Sequence, residues 1–158
     1  AKILKNDNFK FVIIGDGRKK QWFINQIEIK NLTNSFIIID QKPQELMPSY
    51  FFIADLMLVT LRSNPIFSLT IPGKIQSYMA SGKPIVASID GVGARVINDS
   101  NAGIAVAAQN YEKLAEAIIK LSKSDLSLIG NNSFNYFEKN FNRKTIIDKI
   151  ESIFESVV

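Results

Sequence analysis

The chain has 158 residues, enough for one domain with a sizeable core and too few for two. It holds no cysteine and no histidine. That excludes disulfides, thiolate metal centres and any serine–histidine triad, and leaves chemistry to carboxylates, lysine, arginine or substrate groups. Nineteen basic residues against fifteen acidic ones, a net charge of +4 and a pI near 9.3 suit an anionic ligand or an anionic membrane surface. A mildly basic protein with no charged partner has the same balance.

No apolar run approaches the ~20 residues of a spanning helix. The start, Ala1-Lys2-Ile3-Leu4-Lys5, has no apolar signal core, no cleavage site and no initiator methionine. The expectation is therefore a soluble, cytoplasmic domain (residues 1–158) cut from something longer.

In chain order, residues 1–8 read as a helix tail and a turn at Asn6-Asp7-Asn8. Phe9–Ile14 is a strand ended by Gly15-Asp16-Gly17, and a helix follows from about Arg18 to Leu32, with Trp22, Phe23, Ile27 and Ile29 available for the sheet. Ser35–Ile39 is the second strand, and Pro43 opens a helix through Leu46, Met47, Tyr50 and Phe51. Asp55–Val59 is the third strand, Leu61–Thr70 a loop, and Pro84–Ile89 the fourth strand. Asp90-Gly91-Val92-Gly93 turns into a short helix ending near Ser100, and Gly103–Ala107 is the fifth strand. Tyr111–Leu121 and two further helices, near Asp125–Asn140 and Arg143–Val158, complete the chain. Short apolar runs alternating with helices predict an α/β fold. They point to a doubly wound, Rossmann-like parallel sheet of about five strands, with helices on both faces and the C-terminal helices packed on the domain. Ligands of such sheets sit at the carboxyl ends of the strands, a rule that points here to Gly15–Gly17, Asp40–Lys42, Arg62–Ile71 and Asp90–Gly93.

The most informative stretch is Pro72–Ser88. Proline in a first helical turn gives up an amide that is orphaned anyway, so Pro72 marks a start. Gly82 followed by Pro84 marks a stop. Ile71, Ile75, Tyr78 and Met79 share one face at helical spacing, with Lys74, Ser77 and Ser81 on another. Free amides and the positive end of the dipole favour an anion at this start, Gly73 has no side chain to hold it off, and Lys74 adds a charge. An ordinary helix start with a solvated lysine has the same letters.

Gly15-Asp16-Gly17 suggests a dinucleotide loop, but the third glycine of that fingerprint falls on Lys20. The pair equally serves a tight strand-to-helix turn. Arg62, in a long loop, can reach a phosphate or stay solvated. Phe134, Tyr136, Phe137 and Phe141 read as core rather than a base-stacking platform, so nucleic acid is not an expected partner. No metal site or cofactor is expected.

The order of Phe11–Gly17, Ile39–Leu46, Ala54-Asp55-Leu56, Pro72–Ser88 and Asn101–Ile104 resembles the C-terminal half of retaining glycosyltransferases with two Rossmann-like domains, the GT-B fold. It is most similar to the bacterial surface-polysaccharide group with a Pro-Ser/Gly-Lys…Tyr-Met-Ala-x-Gly-Lys-Pro segment. The resemblance implies a domain that binds a nucleotide-sugar donor, usually UDP-linked, for a hexosyl or N-acetylhexosaminyl transferase, with catalysis needing the intact protein. It assigns the donor to Gly15, Gly17, Gln41, Lys42, Arg62, Thr70, Ile71, Pro72, Gly73, Lys74 and Ser77, with Gln41–Lys42 at the uracil and Gly73-Lys74 at the phosphates.

It also implies a lipid-linked acceptor and an anionic membrane surface as partners, reached through an N-terminal domain outside this chain. Two family glutamates correspond to Leu69 and Ser77 here. The family's strand order, 3-2-1-4-5-6, places the first strand before Ala1, so the sheet is expected to show a gap, a re-pairing or an exposed edge. A nicotinamide-binding oxidoreductase domain and a non-catalytic interaction module are the alternatives.

Overall fold

The computed structural model describes residues 1–4 and 7–156; Lys5, Asn6, Val157 and Val158 lie outside the described residues. The element order is β1 (Phe11–Ile14), α1 (Lys20–Ile29), β2 (Phe36–Ile39), α2 (Met47–Ile53), β3 (Met57–Thr60), α3 (Pro65–Ser68), α4 (Gly73–Ala80), β4 (Ile85–Ser88), α5 (Val92–Asp99), β5 (Gly103–Val106), α6 (Tyr111–Ser122), α7 (Leu126–Asn140) and α8 (Arg143–Glu155). The α/β class and the parallel pairing agree with the sequence reading. The five strands do not pair as one continuous ladder, an outcome anticipated from the family strand order. The strands form two parallel ladders, β1–β2 and β3–β4–β5, and the chain divides into units over Ala1–Ser49 and Tyr50–Val158.

In the first unit, β1 and β2 pair in register from Phe11 with Phe36 to Ile14 with Ile39. Phe36 stacks on Phe11 at 5.2 Å between ring centroids and meets Phe23 of α1 edge-to-face at 5.5 Å. Ile27 is buried, but Trp22 and Ile29 are exposed, so only half of the apolar set expected of α1 packs. Val12, Ile13 and Ile37 are exposed as well, because a two-stranded ladder has too little surface to cover both of its faces. Residues 3–4 form a turn in place of the expected helix tail, and the turn expected at Asn6-Asp7-Asn8 is seen at residues 7–8, with Asn6 outside the described residues.

The second unit holds the main core. β4 is buried along its whole length between β3 and β5. Ile85, Ala87 and Ile89 join Met57 and Val59 of β3, Ile75 and Met79 of α4, and Val96 and Ile97 of α5 in one apolar cluster. Val86 and Ser88 alternate to the other side, where α6 buries Ala115, Ala117, Ile118 and Leu121. β4 is thus covered by helices on both faces, as a parallel strand requires.

The face predicted for α4 is the one that packs: Ile75 and Met79 are fully buried, Ile71 and Tyr78 half-buried, and Lys74 and Ser77 exposed. Gly82 takes φ +63° beyond the last turn, as the predicted stop requires. Of the C-terminal helices, α7 packs on α4, whereas α8 contacts α7 and buries no residue completely.

Ser133 of α7 is fully buried, and its Oγ has no hydrogen-bond partner among the described residues. An unsatisfied buried hydroxyl costs about 1–3 kcal/mol. Ser133→Ala is therefore expected to raise the melting temperature in a circular dichroism scan; a lower value shows that the hydroxyl is paired.

Candidate functional site

At the carboxyl rim of the second unit, β3 runs into Leu61 and Arg62, and Leu61 extends the ladder by donating its N–H to Ser88 O at 3.1 Å. The expected loop Leu61–Thr70 contains a helical turn. Asn64 Oδ1 accepts from the Ile66 amide at 2.8 Å and Pro65 occupies the first turn, so α3 is a capped, one-turn helix. Thr70, Ile71 and Pro72 lead from it into α4. Helix starts at Gly73, with Pro72 as the residue before it and no side chain capping the amides.

Arg62, Asn64, Phe67, Ser68, Pro72, Ile89 and Asp90 line a small cleft here. Gly91 holds its wall. Its φ is +75°, and a Cβ there would lie 2.0 Å from Ser68 O, so the β4–α5 turn and the end of α3 touch backbone to backbone. Asp90 accepts the Ala108 amide at 2.9 Å. That bond, and then one from the Ser63 hydroxyl, holds its carboxyl below the usual carboxylate range.

Of the predicted residues in this unit, Thr70, Gly73 and Lys74 are exposed and Ile71 and Pro72 half-buried, all at this rim. A Cβ at Gly73 would meet nothing within 4 Å, so the approach to the first amides of α4 is open. The Ile75 amide is taken by Pro72 O at 2.9 Å, which leaves the Gly73 and Lys74 amides without a backbone acceptor among the described residues. Lys74 forms no ion pair among them either. Exposed amides, a helix dipole and an unpaired ammonium together make a place where an oxyanion is stabilised. Ser77 lies one turn along, exposed, its hydroxyl donating to Gly73 O at 3.2 Å. Leu69 projects into solvent, 77% exposed.

The other predicted residues belong to the first unit. Gly15 donates to Ile39 O at 3.1 Å, which brings the Gly15–Gly17 loop beside the end of β2, where Gln41 and Lys42 are exposed. Lys20 pairs with Asp40 at 2.5 Å and lies 4.0 Å from Asp16. The hydrogen bond to Asp40 raises the lysine's pKa, and the same bond lowers that of Asp40. An ammonium tied across both loops occupies the position at which a dinucleotide fingerprint needs glycine.

The rule of strand carboxyl ends takes in Ser63 and Asp90 within Arg62–Ile71 and Asp90–Gly93, whereas sequence reasoning missed Gln109. Ser63 donates its amide to Gln109 Oε1 at 3.1 Å across the rim. The signal for α3, an Asn-Pro pair at a cap, is present at residues 64–65. Nothing local announces the Ser63–Gln109 bond. Among the described residues no group of histidine, cysteine or carboxylates is placed to hold a metal ion, and no helix is long and apolar enough to cross a membrane.

The family model of glycosyl transferases group 1 matches residues 1–144. An uncharacterized glycosyltransferase, MJ1178 of Methanocaldococcus jannaschii, is 24% identical over 98% of this chain and 42% of its own length. Among solved structures, a TarM variant of S. aureus in complex with fondaparinux, alpha-GlcNAc-glycerol and UDP superposes with a TM-score of 0.80 at 22% identity, over 97% of this chain and 30% of that one. Anabaena Alr3699/HepE in complex with UDP gives 0.79 at 19% identity, over 95% and 42%. Such identities show a shared fold. The chain spans less than half the length of each of these proteins. With a family match that runs through both ladders, the rim residues and every helix up to the start of α8, this chain belongs to the glycosyl transferases group 1 family.

Proposed function

We propose that this chain is the C-terminal, donor-binding domain of a retaining glycosyltransferase that uses a UDP-sugar to build a bacterial cell-surface polysaccharide. The observation that carries the reading is the uncapped, open start of α4, with Gly73 and Lys74 exposed at the carboxyl rim. UDP stands in the two solved relatives described above, which supports a uridine nucleotide as the ligand. In the intact enzyme the bond from the sugar's anomeric carbon to the diphosphate breaks, and a bond to an acceptor hydroxyl oxygen forms. The proton of that hydroxyl leaves with the diphosphate. The α4 amides, Lys74 and Arg62 stabilise the charge that develops on the leaving group.

The sugar is a hexosyl or N-acetylhexosaminyl unit and the acceptor a lipid-linked saccharide at an anionic membrane face. Both rest on the family resemblance, as do the assignments of Gly15, Gly17, Gln41 and Lys42 to the nucleotide. Ser77 donates its hydroxyl proton to Gly73 O and keeps lone pairs with which it can accept from a ribose hydroxyl. That β1 pairs only with β2, and β3 only with β4, among the described residues supports this reading, since the family order has one further strand between those equivalent to β1 and β3.

The test is a calorimetric titration of the chain with UDP, ADP and NADH in parallel. UDP is expected to bind, weakly, and NADH not at all. Binding of NADH without UDP replaces this reading with the oxidoreductase one, which the Lys20–Asp40 pair disfavours. Silence toward all three nucleotides sinks the donor site.

A further inference from the structure

We infer that Gln109 is a positioning residue that tethers the loop after β3 and thereby holds Arg62 at the donor's diphosphate; this rests on the donor reading above. Arg62 stands between two clefts that open on either side of the end of β3. One is shared with Pro72, Ile89 and Asp90, the other with Thr60, Ser88, Gln109 and Tyr111. Its guanidinium makes no ion pair among the described residues, so nothing at its own tip fixes it. The backbone beside it is fixed instead. Gln109 takes the Ser63 amide at 3.1 Å, and on the same rim Asp90 holds the Ala108 amide, next to Gln109, at 2.9 Å. One residue next to Arg62 is thus pinned by the loop that follows β5.

Gln109 pays for this in backbone strain. Its φ is +64°, in the left-handed region where glycine is the cheap residue. What the glutamine side chain supplies at this position is a hydrogen-bond acceptor. Its oxygen is the acceptor for Ser63, and the neighbouring Asn110 separately caps α6 by accepting from Lys113 at 3.0 Å. The cap therefore does not need the glutamine side chain.

Gln109→Gly separates the two roles, since it relieves the strain and removes only the tether. The chain and its Q109G, R62A and Q109G/R62A variants are compared by UDP titration, by thermal melting, and by 15N relaxation of the Arg62 amide and Nε. Q109G is expected to melt no lower than the unaltered chain. It should bind UDP roughly three- to tenfold more weakly, the worth of one net hydrogen bond, and show faster motion at Arg62. In the R62A background the same change should cost nothing. Equal loss in both backgrounds, or no loss in either while R62A alone is weakened, overturns the tether. A chain that ignores UDP, or an R62A variant that binds it normally, overturns Arg62 as a donor contact. The relaxation data then decide the tether by themselves: unchanged motion at Arg62 in Q109G ends it.

Discussion

Replacing Gly103 with alanine is expected to leave the chain largely unfolded. Gly103 opens β5 opposite Ile85, and a Cβ on it would lie 1.7 Å from Ile85 O and 2.9 Å from Ile85 N. Those are main-chain atoms of the central strand of the second unit, and no rotamer change can move them aside. The φ of +157° adds a backbone cost for any residue with a Cβ. Relief requires β5 to part from β4, which opens the ladder and exposes Val86 and Ile85 beneath it. Damage of this kind belongs to the rare substitutions costing more than about 4 kcal/mol, out of a total stability of roughly 5–15 kcal/mol. Far-ultraviolet circular dichroism with urea titration checks it. A midpoint within experimental error of the unaltered chain means that β4 and β5 do not approach as closely as described.

Lys74→Glu should do the opposite: it weakens ligand binding and spares the fold. Lys74 is exposed on the first turn of α4, and no partner is lost with it among the described residues. A carboxylate in a first helical turn is even favourable toward the dipole, by about 0.3–1 kcal/mol, so melting should hold or rise slightly. Toward a diphosphate the change removes one charge-assisted contact and adds a repulsion. Since such contacts are worth roughly 1.5–3 kcal/mol, UDP affinity should fall by about 10- to 100-fold, and the difference should shrink as salt is added. Titration at low and high ionic strength reads both. Equal UDP affinity in the two proteins would remove the phosphate from the start of α4.

Much of the architecture was legible because it is written in local periodicity. The buried pair Ile75 and Met79 falls on the face that the spacing of Ile71, Ile75, Tyr78 and Met79 predicted, and the Gly82-Lys83-Pro84 stop ends the helix where those letters place it. The alternation of short apolar runs with helices was likewise enough for the α/β class and for parallel pairing. Boundaries were less sharp. The helix expected from Pro43 begins with a 3-10 turn at Gln44–Leu46, and Asp55 precedes β3 rather than opening it. The one-turn helix α3 was hidden in a stretch read as loop, although its Asn64-Pro65 cap was in view.

What the amino-acid order determined by itself, then, is the run of strands and helices and the chemistry offered at the start of α4: a glycine, a lysine and free amides. The tertiary structure alone decided which strands pair as β1–β2 and as β3–β4–β5, that Trp22 and Ile29 face solvent, and that Ser63 is pinned by Gln109, 46 residues away. The reason is range. A helix face or a cap is set by hydrogen bonds and side chains within a few residues. The pairing of strands and the bonds between their loops join segments whose letters carry no mark of one another until the chain has folded.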